Sequence, residues 1–286
     1  MTAVPYRSRI APWRRTEAVP LGTILLVILL TVLTACSQET EKGGRSTGEG
    51  PRSGTVHREA THTYESDAEG NAEATSPDAP WDYVALGDSL AAGVGARRGY
   101  VDRYAEYLRD DTGARVRLTN LGVSGQTSSQ LLRSLENPST RRALRGAEVV
   151  TYNIGINDLG RARGAYEAGT CGGAQDERCL RAAVEEFEGN WDEITREILS
   201  LRSPDETVIL TTGLGYTPRA GRVFESYLKR ANRHITASVA ESSIPYAEVS
   251  LGNGSLGPDG LHPDDSGYEA IADRLQELGY EPLSPR

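Results

Sequence analysis

The sequence predicts an α/β domain: a parallel sheet of about five strands between two layers of helices. Three observations carry that prediction. Short apolar runs alternate with longer segments of helical period, the pattern that builds a parallel sheet with crossover helices on both faces. Most of the runs are apolar throughout rather than alternating, as strands covered on both faces must be. The side chains that carry chemistry fall just after those runs, at the edge where open α/β sheets build their sites.

The elements follow in chain order. Residues 1–36 read as an export signal. Arg7, Arg9, Arg14 and Arg15 form a positive leading region, and residues 21–35 are an apolar run short for a bilayer span. The run ends in Leu33-Thr34-Ala35-Cys36, which resembles the bacterial lipoprotein signal. That resemblance implies acylation of Cys36, stable anchoring to a membrane, and a working location outside the cytoplasm. The alternative is an N-terminal transmembrane anchor with a chance cysteine. Residues 37–80 are rich in Ser, Thr, Gly and Glu and nearly free of large aliphatic side chains. Such a segment cannot offset its own ordering entropy, so it reads as a disordered tether with a root-mean-square reach on the order of 35 Å. His57 and His62 fall in it as solvated spacers.

Residues 81–286 make one domain with a single sizeable core. Strands are predicted at 83–86, 116–121, 149–154, 207–211 and 246–249, each bounded by turn residues. The clearest helix spans 179–202, where Leu180, Val184, Phe187, Trp191, Ile194, Ile198 and Leu201 recur at spacings of four and three. A second spans 222–240 with Val223, Tyr227, Leu228, Ala231, Ile235 and Val239 on its buried side, and a last helix spans 266–278. Five strands alternating with helices fit a flavodoxin-like three-layer arrangement. The net charge of −9 gives no reason to expect a nucleic-acid partner. Of the three cysteines, Cys171 and Cys179 remain as a pair after Cys36, and in an oxidising compartment they read as a disulfide around a polar loop. A zinc site is the rival reading, but two cysteines need two further ligands and no histidine lies near in sequence.

Four strand ends carry functional groups. Gly87-Asp88-Ser89-Leu90 follows the first strand, Ser124-Gly125-Gln126-Thr127 the second, Gly155-Ile156-Asn157-Asp158 the third, and Asp259-Gly260-Leu261-His262 precedes the last helix. In this order the four resemble the blocks of the SGNH hydrolase superfamily, the GDSL esterases and lipases, over residues 81 to about 278. The loop 160–173 with the cysteine pair is left as a local elaboration.

The resemblance implies a serine hydrolase of carboxylic esters without metal or organic cofactor. Ser89 is the implied nucleophile, His262 its base and Asp259 the group that orients the imidazole. The amides of Ser89 and Gly125 and the carboxamide of Asn157 are the implied oxyanion donors, Gly125 being glycine so that the oxyanion can approach the backbone. Asp88 and Asp158 are expected to brace loops by accepting N–H bonds, and Asn120 to form a turn. Ser124 has no base nearby in sequence, and His234 reads as a structural or surface residue in mid-helix. The expected partner is a lipid or acylated-glycan ester, and the expected state a monomer. Alternatives are an acyltransferase and a non-catalytic envelope lipoprotein that binds a glycan or protein on the same fold. A dinucleotide site lacks its Gly-x-Gly-x-x-Gly, and an α/β-hydrolase elbow is excluded because Ala91 follows Ser89 by two.

Overall fold

The structure, a computed structural model, describes residues 79–215, 221–252 and 254–284. The export signal with Cys36, and the tether through residue 78, lie outside the described residues. The elements run β1 (Trp81–Gly87), α1 (Tyr100–Thr112), β2 (Val116–Gly122), α2 (Ser128–Ser134), α3 (Pro138–Arg145), β3 (Val149–Asn153), α4 (Ile156–Glu167), α5 (Arg178–Leu201), β4 (Val208–Thr212), α6 (Arg222–Glu241), β5 (Tyr246–Ala247) and α7 (Asp265–Glu277). Every strand pairing is parallel, in the order β2-β1-β3-β4-β5. This is the flavodoxin-like order, with its switch point between β1 and β3.

Strand periodicity divides the core into two layers. In β1, Trp81, Tyr83 and Ala85 face one side and pack with Tyr100, Tyr104 and Leu108 of α1 and Tyr268, Ile271 and Leu275 of α7. Val84 and Leu86 face the other side and pack with residues of α2 to α6. The alternation is the two-residue period of a pleated strand, here with apolar groups on both faces. On the second side the long stripe of α5 is buried as expected from Leu180 to Ile198, while Leu201 is only half-buried. Trp191 is the largest side chain there and stacks on Tyr152 of β3 at 5.2 Å between centroids. Truncating a side chain so enclosed costs roughly 3–5 kcal/mol.

Several expectations need revision. β2 is an edge strand and exposes much of its surface. β5 pairs only through Tyr246 and Ala247. Val249 stays buried beyond the strand's end, so its apolar signal reports burial and not ladder pairing. In α6 the core residue of the first turn is Phe224 rather than Val223. Most of the loop expected at 160–173 is helix, since α4 continues to Glu167. Leu159 and Ala162 anchor its inner face, and Gly160 and Gly164 lie where an added Cβ would meet nothing. Glycine costs such a helix about 1 kcal/mol per residue in propensity without blocking it.

The remaining part of that elaboration is closed by a Cys171–Cys179 disulfide with Cα atoms 5.4 Å apart, at the entrance to α5. Its cysteines are therefore not metal ligands. Replacing both by serine is expected to lower unfolding stability by about 2–3 kcal/mol, the loop-closure value for so short a ring. Urea denaturation of the variant beside the oxidised wild type checks this; equal midpoints would mean that the ring is not constraining the unfolded chain.

Candidate active site

The site begins with a backbone turn. After Gly87 the chain leaves the sheet and coils once: Ala92 N–H donates to Asp88 O at 3.0 Å and Val94 N–H to Ser89 O at 3.0 Å. Asp88 braces this coil, its Oδ1 accepting from Leu90 N–H at 3.0 Å and from Asn153 Nδ2 at 3.1 Å. Asn153, the last residue of β3, accepts in turn from the Tyr100 hydroxyl at 2.9 Å. The serine is thus fixed from below by the neighbouring strand. Tyr268 fixes it from the side, its hydroxyl donating to Val94 O at 2.7 Å and to Ser89 O at 3.3 Å.

The imidazole comes from the opposite end of the domain. Asp259 forms an Asx-type turn, with Oδ1 accepting the Leu261 and His262 amides at 3.0 Å each. Its Oδ2 pairs with His262 Nδ1 at 2.6 Å. A carboxylate only accepts, so Nδ1 carries the proton and Nε2 is left as an acceptor. His262 Nε2 lies 2.9 Å from Ser89 Oγ. Beyond it, Asp264 caps α7 through the Ser266 and Gly267 amides, each at 2.9 Å. Gly95 lies directly against this loop: a Cβ there would stand 2.8 Å from His262 Cβ. Hydroxyl, imidazole and carboxylate form one hydrogen-bonded chain, the arrangement that moves a proton off a serine.

The carboxylates near Ser89 experience opposite environments. The hydrogen bond from His262, reinforced by the two amides, holds half-exposed Asp259 down to about 2. Burial pushes Asp88 up to about 6 against the opposing bonds from Leu90 and Asn153. Its Oδ2 is buried with no hydrogen-bond partner among the described residues. Asp158 is also raised by burial, opposed by the Ser128 hydroxyl at 2.6 Å and the Ser128 amide. Asp88 and Asp158 are loop braces, as expected, and Asn120 bridges Ala91 O and the Gly122 amide.

The other predicted donors sit beside β2 and β3. Val123 to Gln126 form a turn closed by Gln126 N–H to Val123 O at 3.1 Å, with Gly125 at φ +77°. A positive φ at the third position alone is the signature of a type II turn, which favours glycine there. An added Cβ would meet nothing within 4 Å, so backbone conformation, and not the expected close approach, is what calls for glycine. The amides of Ser89 and Gly125 donate to no other group among the described residues. Asn157 lies in the first turn of α4 and gives one amide hydrogen to Gln126 O at 2.9 Å; the other is uncommitted. Ser124 is exposed, and His234 pairs with Asp192 at 2.9 Å between α6 and α5.

Three supporting residues escaped sequence reasoning. Asn153 had a signal, a carboxamide inside an apolar run. Tyr268 has the pattern of any helix core residue, and Arg161, which donates to Gly125 O at 3.1 Å, that of any exposed helix arginine.

Comparison with known proteins places this geometry. Residues 85–270 match the GDSL-like Lipase/Acylhydrolase family. The spore germination lipase LipC of Bacillus licheniformis is 28% identical over 208 residues, covering 69% of this chain and 96% of that protein. The structure of the lipase Lip_vut3 from goat rumen metagenome superposes with a TM-score of 0.64 at 26% identity, over 71% of this chain and all of its own. A single-residue variant of Axe2, an acetyl xylan esterase from Geobacillus stearothermophilus, shares the fold at a TM-score of 0.54 and 19% identity, covering 71% of this chain and 96% of its own.

The Asp88 environment has a measurable consequence. The folded chain holds this proton up to about pH 6, the unfolded chain only to the ordinary 3.8. Stability from Asp88 is therefore present below the unfolded value and lost as pH rises through the folded one. Asp88→Asn should gain about 2 kcal/mol over wild type between pH 4 and pH 7. Parallel urea titrations across that range read the difference, in which Asp259 cancels; a flat difference would assign Asp88 an ordinary titration.

Proposed function

Because the chain belongs to the GDSL-like lipase/acylhydrolase family, we propose that Ser89 is the nucleophile of a carboxylic ester hydrolase working through an acyl-serine. One observation carries the proposal: Ser89 Oγ, His262 and Asp259 stand in register at 2.9 and 2.6 Å. A module that only bound a glycan or protein would have no use for that proton path.

His262 Nε2 takes the Ser89 proton as Oγ adds to the ester carbonyl carbon. The carbonyl oxygen becomes an oxyanion, received by the amides of Ser89 and Gly125 and the uncommitted N–H of Asn157. Collapse breaks the bond to the alcohol oxygen, which leaves with the proton from His262. Water then repeats the sequence: His262 takes its proton, its oxygen adds to the acyl carbon, and Ser89 recovers a proton as the acid departs. Asp259 stays ionised throughout and stabilises the imidazolium that forms. The substrate class is an ester of a lipid or an acylated glycan, supported by the lipase and acetyl xylan esterase among the similar proteins.

The location belongs to the same proposal. The basic leader, the apolar run and Leu33-Thr34-Ala35-Cys36 support export and acylation of Cys36, with residues 37–80 as tether. An envelope ester is then within reach.

Purified protein should hydrolyse nitrophenyl esters and be labelled by a fluorophosphonate at Ser89. Ser89→Ala should lose both, and His262→Ala should slow turnover on the order of 10²–10⁴-fold. Label at another residue, or full activity in Ser89→Ala, sinks the assignment. Expressed with its leader in a bacterium, the protein should fractionate with membranes and take up labelled palmitate. Cys36→Ser should abolish the label and release the protein; unchanged labelling would place the lipid elsewhere or leave an uncleaved anchor.

A further inference from the structure

We propose that Arg161 is a positioning residue for the oxyanion site, holding the Gly125 turn so that its amide stays aimed at the reacting carbonyl. The inference rests on the serine-hydrolase reading above.

Gln126 at the far end of the turn is buried, but the part that carries Gly125 has little packing to hold it. It follows the edge strand β2, Val123 within it is half-exposed at 53%, and no atom lies within 4 Å of a Cβ built on Gly125. Side-chain packing therefore does not fix the glycine, which has the widest backbone freedom of any residue. What fixes it is a short set of hydrogen bonds. Val123 N–H donates to Gly87 O at 2.9 Å and Gln126 N–H closes the turn. From α4, Asn157 Nδ2 donates to Gln126 O at 2.9 Å and Arg161 Nη2 to Gly125 O at 3.1 Å.

The two α4 side chains stand four residues apart, on one face of the helix. Their helix is itself anchored: Leu159 and Ala162 are buried, and Asp158 accepts the Ser128 amide and hydroxyl just past the turn. α4 thus presents both donors to the loop opposite. Asn157 has its own donor role, which leaves Arg161 as the group that serves the turn alone. Its guanidinium makes no ion pair among the described residues, so its partner there is this carbonyl. A charged donor on a carbonyl makes a stronger bond than a neutral one.

Arg161→Ala in the full-length protein tests this. Loss of one oxyanion donor costs about 10²–10³-fold in kcat, and a loosened donor should cost about 10-fold. KM and Tm should stay near wild type, and Arg161→Lys should recover part of the loss. Affinity for a trifluoromethyl ketone, which forms a tetrahedral adduct on Ser89, should fall in step with kcat. Affinity for an unreactive ether analogue of the ester should not. ¹⁵N relaxation should show a lower order parameter at the Gly125 amide in Arg161→Ala, a readout that needs no turnover. An unchanged kcat in an active enzyme overturns the inference, as does an unchanged Gly125 order parameter or a parallel loss of ketone and ether affinity. Absence of ester hydrolysis by wild type would instead overturn the reading beneath it, and the Gly125 measurement would still judge the clamp.

Discussion

The hydrogen bond between Ser89 and His262 joins residues 173 positions apart, and the site depends on keeping that long-range contact short. Neither loop does so alone. The β1 coil and the loop before α7 are pressed together by Gly95 against His262 and by the Tyr268 hydroxyl on Val94 O and Ser89 O. Farther out, Asp265 at the start of α7 receives Arg97 at 3.0 Å and Arg103 at 3.5 Å. The exposed Arg97 pair adds little energy and the Arg103 pair is long at 3.5 Å, whereas the buried tyrosine and the glycine contact set the distance. The α1–α7 core layer thereby sets the site's geometry: a shift between two packed helices is a shift between the proposed base, His262, and the proposed nucleophile, Ser89.

Below the serine the balance of forces is different. Tyr100, Asn153 and Asp88 form a buried polar chain between β1 and β3. One carboxylate oxygen in it has no partner among the described residues, and an ionised group there carries a desolvation cost that its hydrogen bonds only partly offset. Asp259 is the reverse, half-exposed and held ionised by the imidazole it orients. The same side-chain type therefore serves as brace in one place and charge stabiliser in the other. Burial decides which.

Legibility in the sequence followed the same physics. The strands and α5 were readable because apolar side chains must repeat with the period of the element that buries them, and the strand-end groups stood out against that background. The short helices α2 and α3 each bury just two side chains, Ser128 and Leu131 or Thr140 and Leu144, too few to set a period. α1 presents its face partly as tyrosines, Tyr100 and Tyr104, which weigh little as apolar signal. Gly160 and Gly164 disguised α4, because outward glycines weaken a helix without ending it. At the site, Ser89, Asp259 and His262 were legible as chemistry. Asn153, Tyr268 and Arg161 were not, since each acts through a contact made only after folding.

The division between legible and hidden residues matches the architecture of the sheet. Ser89 follows β1 and Asn157 follows β3, the two strands flanking the switch point, and ladder bonds on both sides hold those strand ends. Gly125 follows β2, which has a neighbour on one side only. Of the three proposed oxyanion donors it is the one that the sheet cannot hold by itself. A parallel sheet with this strand order leaves its edge-strand donor to outside support, and α4, which begins just after β3, reaches that turn through Asn157 and Arg161. The residue supplying that support is free to be an ordinary surface side chain, because its task is reach and hydrogen bonding rather than reactivity. That freedom is why a motif captures Gly125 while the group that steadies it becomes visible only in three dimensions.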